Sequence, residues 1–250
     1  MKTKQALHPL DIVYGIHQDS EAEVSRLSQF IERHFSARAV CVLKILEAGC
    51  GQKWALNLNG LTFSLTGIDQ SEQAITERQS NRGDLDEVII GDLVTARFPE
   101  QNFDIIYCSY VLEHVSGAEK VLENFSTWLR PGGLLILRIP DPSTAYSFLA
   151  KHLPFYLHVL AKRVMGSKNA GKPGYDPFPT FFDPIVSREG IHDFCRKTGL
   201  KVRIEYSYGY TTFRPFFPVA DLILRILGWA SFGKLDSKRT DLLFVIEKTL

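Results

Sequence analysis

Apolar and polar positions change period several times along this chain, and each change marks an element. From Ser20 to Ser36 the residues Val24, Leu27, Phe30, Ile31 and Phe35 recur at helical spacing, with Ser20 as an N-cap and Glu23 completing a capping box. The run VCVLKILEAGCG is rich in β-branched residues and stops at Gly49 and Gly51, which predicts a buried strand entering a tight turn. A helical stretch is expected next. LTFSLTGID then predicts a second strand, SEQAITERQSN a helix capped by Ser71, VIIGD a third strand and FDIIYCS a fourth. GAEKVLENFSTWLRPGG reads as an amphipathic helix closed by Pro131, Gly132 and Gly133, and LLILRIP as a fifth strand. Strands alternating with helices at these spacings predict an α/β fold, a doubly wound parallel sheet with helices on both faces.

After Pro140 the regularity breaks. Residues 141–186 carry prolines at 142, 154, 173, 177, 179 and 184, with one helical stretch or two between Ala145 and Met165. SREGIHDFCRKTG is a capped helix, LKVRIEYSYG a strand and TDLLFVIEK a last strand. The expectation is one domain over 1–250 with a seven-stranded, mostly parallel sheet. Its parts are an N-terminal helical lid (1–37), a ligand-binding core (38–140) and two lid insertions (141–186 and 209–238).

Composition adds an asymmetry. Overall, 29 basic against 28 acidic residues leave the chain near neutral, with 45% hydrophobic and 23% charged residues. Residues 1–140 hold 13 Lys/Arg against 18 Asp/Glu, whereas residues 141–250 hold 16 against 10. Eighteen of the 29 aromatic residues fall in that shorter, basic part. Four cysteines (Cys41, Cys50, Cys108 and Cys195) are too far apart for a CxxC pair and suggest a reducing, cytoplasmic setting. The first residues lack a signal-like apolar core, and the apolar stretch from Phe216 to Phe232 is interrupted by Asp221 and Arg225, so no membrane span is expected.

Chemistry concentrates at the ends of the first strands. Glu47-Ala48-Gly49-Cys50-Gly51 is a turn that lets backbone approach a ligand. The dinucleotide fingerprint fails, because its sixth position is Trp54, and a phosphate loop fails because Gly51-Gln52-Lys53 lacks the spacing and the following Ser/Thr. Asp69, 20 residues after Gly49, ends the second strand, where a carboxylate can accept both hydroxyls of a ribose. Asp92 ends the third, within reach of an adenine amino group. Nothing supplies a cation for a pyrophosphate unless Lys53 does, so the ligand reads as adenosine without phosphates.

At these residues the chain resembles the class I S-adenosylmethionine-dependent methyltransferases. ILEAGCG is similar to their first motif, TGIDQS to the second and IIGD to the adenine-contacting acid. FDIIYCSYVLEHV and WLRPGGLLIL resemble the later segments of the small-molecule branch, which includes quinone- and sugar-modifying enzymes. The resemblance covers about residues 38–140 and implies a Rossmann-like fold binding S-adenosylmethionine, released as S-adenosylhomocysteine. It implies that Gly49, Cys50 and Gly51 lie under the methionine arm and that Asp69 holds the ribose. Asp92 and the Leu93 backbone would meet the adenine, Gln70 would cover its face and Ser109 would lie near the sulfonium. Glu47 would order the turn or meet the amino group through water. Where the family turn commonly reaches a third glycine, this chain has Lys53, which leaves a catalytically silent binding or scaffold subunit as the alternative.

For an oxygen acceptor a base is needed, and His114 is the candidate, with Tyr110 for acceptor contact and Tyr14 for closing over the cofactor. No His/Cys/Asp cluster has ligand spacing, so no metal is expected. Pro142 to Tyr175 contains no Asp or Glu, but holds Lys151, Lys162, Arg163, Lys168 and Lys172 among leucines and aromatics. That pattern suits two packed lid helices with solvated charges. It also suits an amphiphilic or anionic acceptor, such as a sugar, lipid-linked or phenolic intermediate, met at a membrane face. Nucleic acid is disfavoured because the cations sit among apolar residues. The oligomeric state is left open.

Overall fold

The computed structural model describes residues 13–17, 20–36, 38, 41–51, 54, 56–58, 60–164, 166–172, 177–181, 183–209 and 218–249, without the side chains of 13–17, 20–23, 209 and 218–220. In chain order the elements are β1 (Val13–His17), α1 (Ser20–Ser36), β2 (Leu43–Ala48), β3 (Phe63–Asp69), α2 (Glu72–Asn81), β4 (Glu87–Ile90) and β5 (Phe103–Ser109). A 3-10 turn (Leu112–His114), α3 (Ala118–Trp128), β6 (Leu129–Pro140), α4 (Ala145–His152), α5 (Phe155–Val164) and α6 (Arg188–Thr198) follow. The chain closes with β7 (Leu200–Gly209), α7 (Pro218–Ala230) and β8 (Arg239–Lys248).

All seven expected strands are present in one sheet of order β1-β7-β8-β6-β5-β2-β3-β4, with β8 antiparallel to β6 and β7. The eighth strand, β1, corrects the reading of residues 1–37 as a helical lid. Val13–His17 pairs in parallel with Ile204–Tyr208 at the sheet edge. The helix α1 that follows buries Leu27, Ile31 and Phe35 in the core instead of standing apart from it.

Period-two alternation along the strands divides the core between the two faces. Leu46, Ala48, Ile106, Cys108, Leu135 and Leu137 face α3 and α6, which contribute Val121, Phe125, Trp128, Ile191 and Phe194. Ile45, Leu65, Ile105, Tyr107, Leu134 and Ile136 face α1 and α2. Helices therefore cover both faces, as the doubly wound reading requires.

Two local expectations differ. No described residue between β2 and β3 is helical. Trp54, Leu56 and Leu58 alternate at period two, and the two leucines are buried while Trp54 meets Tyr107 edge-on at 5.5 Å. The helix expected to run to Pro131 ends at Trp128, and β6 begins at once. Gly132, at φ +75°, lies against the Arg38 guanidinium, which donates to the Gly132 carbonyl; a Cβ there would overlap the arginine.

The caps at Ser71 and Ser187 follow the sequence, while the side chains of the expected Ser20–Glu23 capping box lie outside the described residues. Ser71 Oγ accepts from the Ala74 N–H at 3.2 Å, and Ser187 Oγ from the Gly190 N–H at 3.0 Å, each satisfying an orphan donor. The described residues of 141–186 form two helices divided by Leu153 and Pro154. Asp221 pairs with Arg225 at 2.8 Å, as their i, i+4 spacing anticipates. Among the described residues no helix is long and apolar enough to cross a membrane.

Candidate functional site

From β2 the chain steps one way along the sheet to β3 and β4, then returns to the other side of β2 as β5 and β6. The carboxyl ends of β2 and β5 thus flank a topological switch point, where open α/β sheets bind ligands. Ala48 pairs with Cys108, and Ser109 with Arg138, so the turn after β2 adjoins the ends of β5 and β6.

Gly49 and Gly51 both adopt left-handed backbone, at φ +70° and +49°. Gly49 is required twice over: a Cβ there would come within 2.2 Å of Val111 Cγ2, in the loop after β5. At Gly51 the corresponding position meets, among the described residues, nothing nearer than the Gly49 carbonyl at 4.0 Å. Cys50 is buried, its thiol facing Gly67 and pushed up to about 12 chiefly by burial, so it is packing and not a nucleophile.

Asp69 holds this turn. Its Oδ2 accepts the Gly51 N–H at 2.9 Å and its Oδ1 the Ser71 N–H at 2.8 Å. A carboxylate has about four acceptor positions, so two bound amides orient the group and leave both oxygens able to accept a pair of hydroxyls. Without a helix at the described residues after Gly51, orientation by Asp69 takes the place of the expected helix start. Gln70 is exposed beside it. Asp92, just past β4, accepts the Val94 N–H at 2.7 Å, and the buried Leu93 presents its carbonyl to Asn124 Nδ2 at 3.0 Å. Ser109 is half-buried at the end of β5. Lys53 lies outside the described residues, as does the side chain of Tyr14.

Beneath the turn is a residue that sequence reasoning missed. Arg78 of α2 is 1% exposed; its Nη1 donates to the Cys50 carbonyl at 2.7 Å and lies 2.8 Å from Glu47, and its Nε donates to Asp84 at 2.8 Å. Glu47 therefore orders the turn through Arg78. One guanidinium serves two carboxylates here. The outer one, Asp84, is held below its ordinary range by the hydrogen bond from Arg78. Burial pushes Glu47 up, from its ordinary 4.5 to about 8, against the opposing pull of the arginine. A helical arginine in the polar run ITERQSN gives no sign of burial.

On the β5 side, Tyr110 sits at φ +56°, a strained backbone for a bulky residue and a common mark of a working site. Its ring is partly exposed while its hydroxyl end is buried against Asp241, and burial keeps the phenol protonated by raising it far above its ordinary 10. Tyr110 is thus a donor and no base. The Arg138 guanidinium lies 5.3 Å from the Tyr110 ring and 4.5 Å from that of Tyr208. Tyr110, Arg138, Tyr208 and Asp241 form a charged aromatic platform on four adjacent strand ends. Only Tyr110 of these was expected from sequence.

His114 is tied to the first insertion. Its Nδ1 is 2.7 Å from the Pro179 carbonyl, its ring meets Phe178 edge-on at 5.7 Å, and the Phe181 N–H donates to the Glu113 carbonyl at 2.9 Å. A carbonyl only accepts, so Nδ1 donates the proton there, and Nε2 lies 4.0 Å from a Glu113 carboxylate oxygen. Among the described residues no group of His, Cys, Asp and Glu is arranged to hold a metal ion.

A family profile described as a methyltransferase domain matches residues 17–203, three-quarters of the chain. The chain belongs to this family, the class I S-adenosylmethionine-dependent methyltransferases, and its cofactor is S-adenosylmethionine. Phosphoethanolamine N-methyltransferase 1 of Zea mays is 26% identical over 142 residues, 51% of this chain and 28% of that protein. The ubiquinone/menaquinone biosynthesis C-methyltransferase UbiE of Campylobacter jejuni is 24% identical over 155 residues, 59% of this chain and 66% of that one. The match thus spans under a third of the maize protein's length. An S-adenosylmethionine-dependent methyltransferase of Methanosarcina mazei shares the fold with a TM-score of 0.54 and 18% identity, over 86% of this chain and 96% of that one.

Proposed function

We propose that this chain transfers a methyl group to an oxygen of a small, anionic or amphiphilic acceptor. The observation that carries the reading is the adjacency of two half-sites: the Gly49–Gly51 turn oriented by Asp69, and the Tyr110–Arg138–Tyr208–Asp241 platform across the switch point. When bound, the cofactor supplies an activated methyl group on a sulfonium. The remaining task is alignment, the largest generic contribution to such a step.

In this reading Asp69 takes both ribose hydroxyls, Asp92 the adenine amino group and Ser109 borders the reacting centre. Gln70 covers the adenine. The stacked guanidinium of Arg138 attracts an anionic group of the acceptor, and the two rings fix the plane in which it binds. His114, its proton pinned on Nδ1, offers Nε2 as the base that an aliphatic hydroxyl needs. The 141–186 and 209–238 insertions select the acceptor. The curated relatives act on nitrogen and carbon, so oxygen rests on the base and not on kinship.

Calorimetric titration with S-adenosylhomocysteine, with NAD as control, tests the donor site: micromolar binding of the first alone is expected, falling about a hundredfold in Asp69→Ala as two charge-assisted hydrogen bonds are lost. No binding would favour a silent scaffold subunit. An acceptor screen across anionic glycans and phenols then tests the rest. His114→Gln should keep cofactor affinity and lower turnover by about a hundredfold or more; full turnover would end its role as base.

A further inference from the structure

We propose that the packed pair α4 and α7, together with the exposed helix α5 that follows α4, docks on an anionic phospholipid bilayer. Three observations carry this. First, the apolar side chains of these helices point outward. Among the described side chains of α7, Leu224 and Gly228 are buried and Asp221 and Leu227 half-buried, Leu224 packing on Ala145 of α4, while Leu222, Ile223, Ile226 and Trp229 are exposed, Trp229 by 82%. Helix α5 buries none of its ten residues, and Tyr156, Leu160 and Val164 stand more than half exposed. A surface helix of a water-bathed protein shows the reverse arrangement.

Second, one aromatic is presented on a rigid mount. Phe232, 95% exposed, sits at φ +55° in the turn that closes α7. That turn is locked: the Phe232 N–H donates to the Trp229 carbonyl, the Gly233 N–H to the Gly228 carbonyl, and Ser231 Oγ both donates to Gly228 and accepts from the Leu235 N–H. A bulky residue held in left-handed backbone so that it faces outward behaves as a fixed wedge, with no ordering cost left for insertion.

Third, the charge of the first insertion is one-sided. Residues 142–175 contain five Lys/Arg and no acid, and after the wedge Lys234 and Lys238 flank Asp236, which is paired with Arg239. The single acid of α7, Asp221, is already paired with Arg225. A second copy would set cation against cation, which disfavours self-association through this face. An anionic headgroup layer with hydrocarbon beneath satisfies the cations and the apolar face together.

Location gives the docking a use. Helix α4 begins just beyond the carboxyl end of β6, and α7 leads into the start of the antiparallel β8, so both lie at the end of the sheet that holds the switch point. A bilayer on these helices would bring amphiphilic molecules to the site's edge.

The test is co-sedimentation of the whole chain with vesicles of phosphatidylglycerol mixed with phosphatidylcholine, against pure phosphatidylcholine. Binding to the mixed vesicles is expected, weakening with salt and at least about tenfold lower on the neutral ones. Trp229→Glu/Phe232→Glu should lower it at least about tenfold, and Lys168→Glu/Lys172→Glu by about twentyfold or more, at about fivefold for each cation. All four side chains are exposed, so thermal midpoint and S-adenosylhomocysteine affinity should stay at wild-type values. That control separates failure of the docking from failure of the methyl-transfer reading. The proposal is overturned if mixed vesicles do not bind the protein, or if the variants bind as well as wild type. It is equally overturned if sedimentation velocity without lipid shows a dimer that Trp229→Glu dissolves.

Discussion

At the scale of single residues, Gly49 concentrates the physics of the donor site. It must be glycine because its backbone is left-handed and because Val111 occupies the space of a side chain. Gly49→Ala is expected to cost about 1–2 kcal/mol for the backbone and a further roughly 1–3 kcal/mol for overlap, and to weaken cofactor binding. Adding Val111→Ala should restore the second part of the stability and not the first, which urea denaturation of the three variants can resolve. Asp69 and Asp92 stood out in sequence because an acid closing a strand is a local pattern. Arg138 and Asp241 did not, because their meaning lies in which strands become neighbours.

Among elements, α2 is bound to the turn after β2 through Arg78. Removing Arg78 leaves the Glu47 carboxyl buried beside an empty site and the Asp84 charge without its partner. Arg78→Met should therefore destabilise the fold by about 3–5 kcal/mol, and Glu47→Gln/Arg78→Met by less than that. Glu47 also gives a pH signature. Its folded carboxyl holds a proton up to about 8, whereas in the unfolded chain it releases it near 4.5. The folded state binds more protons between those values, so stability falls as pH rises from about 5 to 8. In Glu47→Gln that part of the decline should vanish from a series of thermal melts; an unchanged slope would remove Glu47 as its source.

Other element boundaries were legible only in part. Caps at Ser71 and Ser187 were readable because they depend on residues three apart. The non-helical path of the described residues after Gly51 was not, because a short run with Trp54, Leu56 and Leu58 fits either period until its partners are known. Strand β1 has no hydrophobic run to announce it; its pairing with β7 is a contact across nearly two hundred residues.

For the molecule as a whole, the two halves of the chain differ in role. Acidic residues 1–140 build most of the sheet and the donor site, and the basic aromatic remainder supplies the helical layer beside it. The layer rests on a small core of its own, Ala145 and Leu224 with Leu149, Leu227 and Leu235 around them. Leu224→Ala should cost about 2–4 kcal/mol by leaving a cavity, whereas Trp229→Ala should leave stability within about 0.5 kcal/mol because its surface is already in water. Differential scanning calorimetry of the two variants checks both.

The sequence by itself determined the α/β class, the seven strands, the capped helices and the carboxylates at the strand ends, because each rests on periodicity or on neighbours a few residues apart. Tertiary structure alone decided that Arg78 would be buried beneath the glycine turn, that Arg138 would lie between two tyrosines, and that α7 would turn its apolar face outward. Those outcomes depend on which distant segments share space, and an apolar stripe reads the same in sequence whether it faces a core or the solvent.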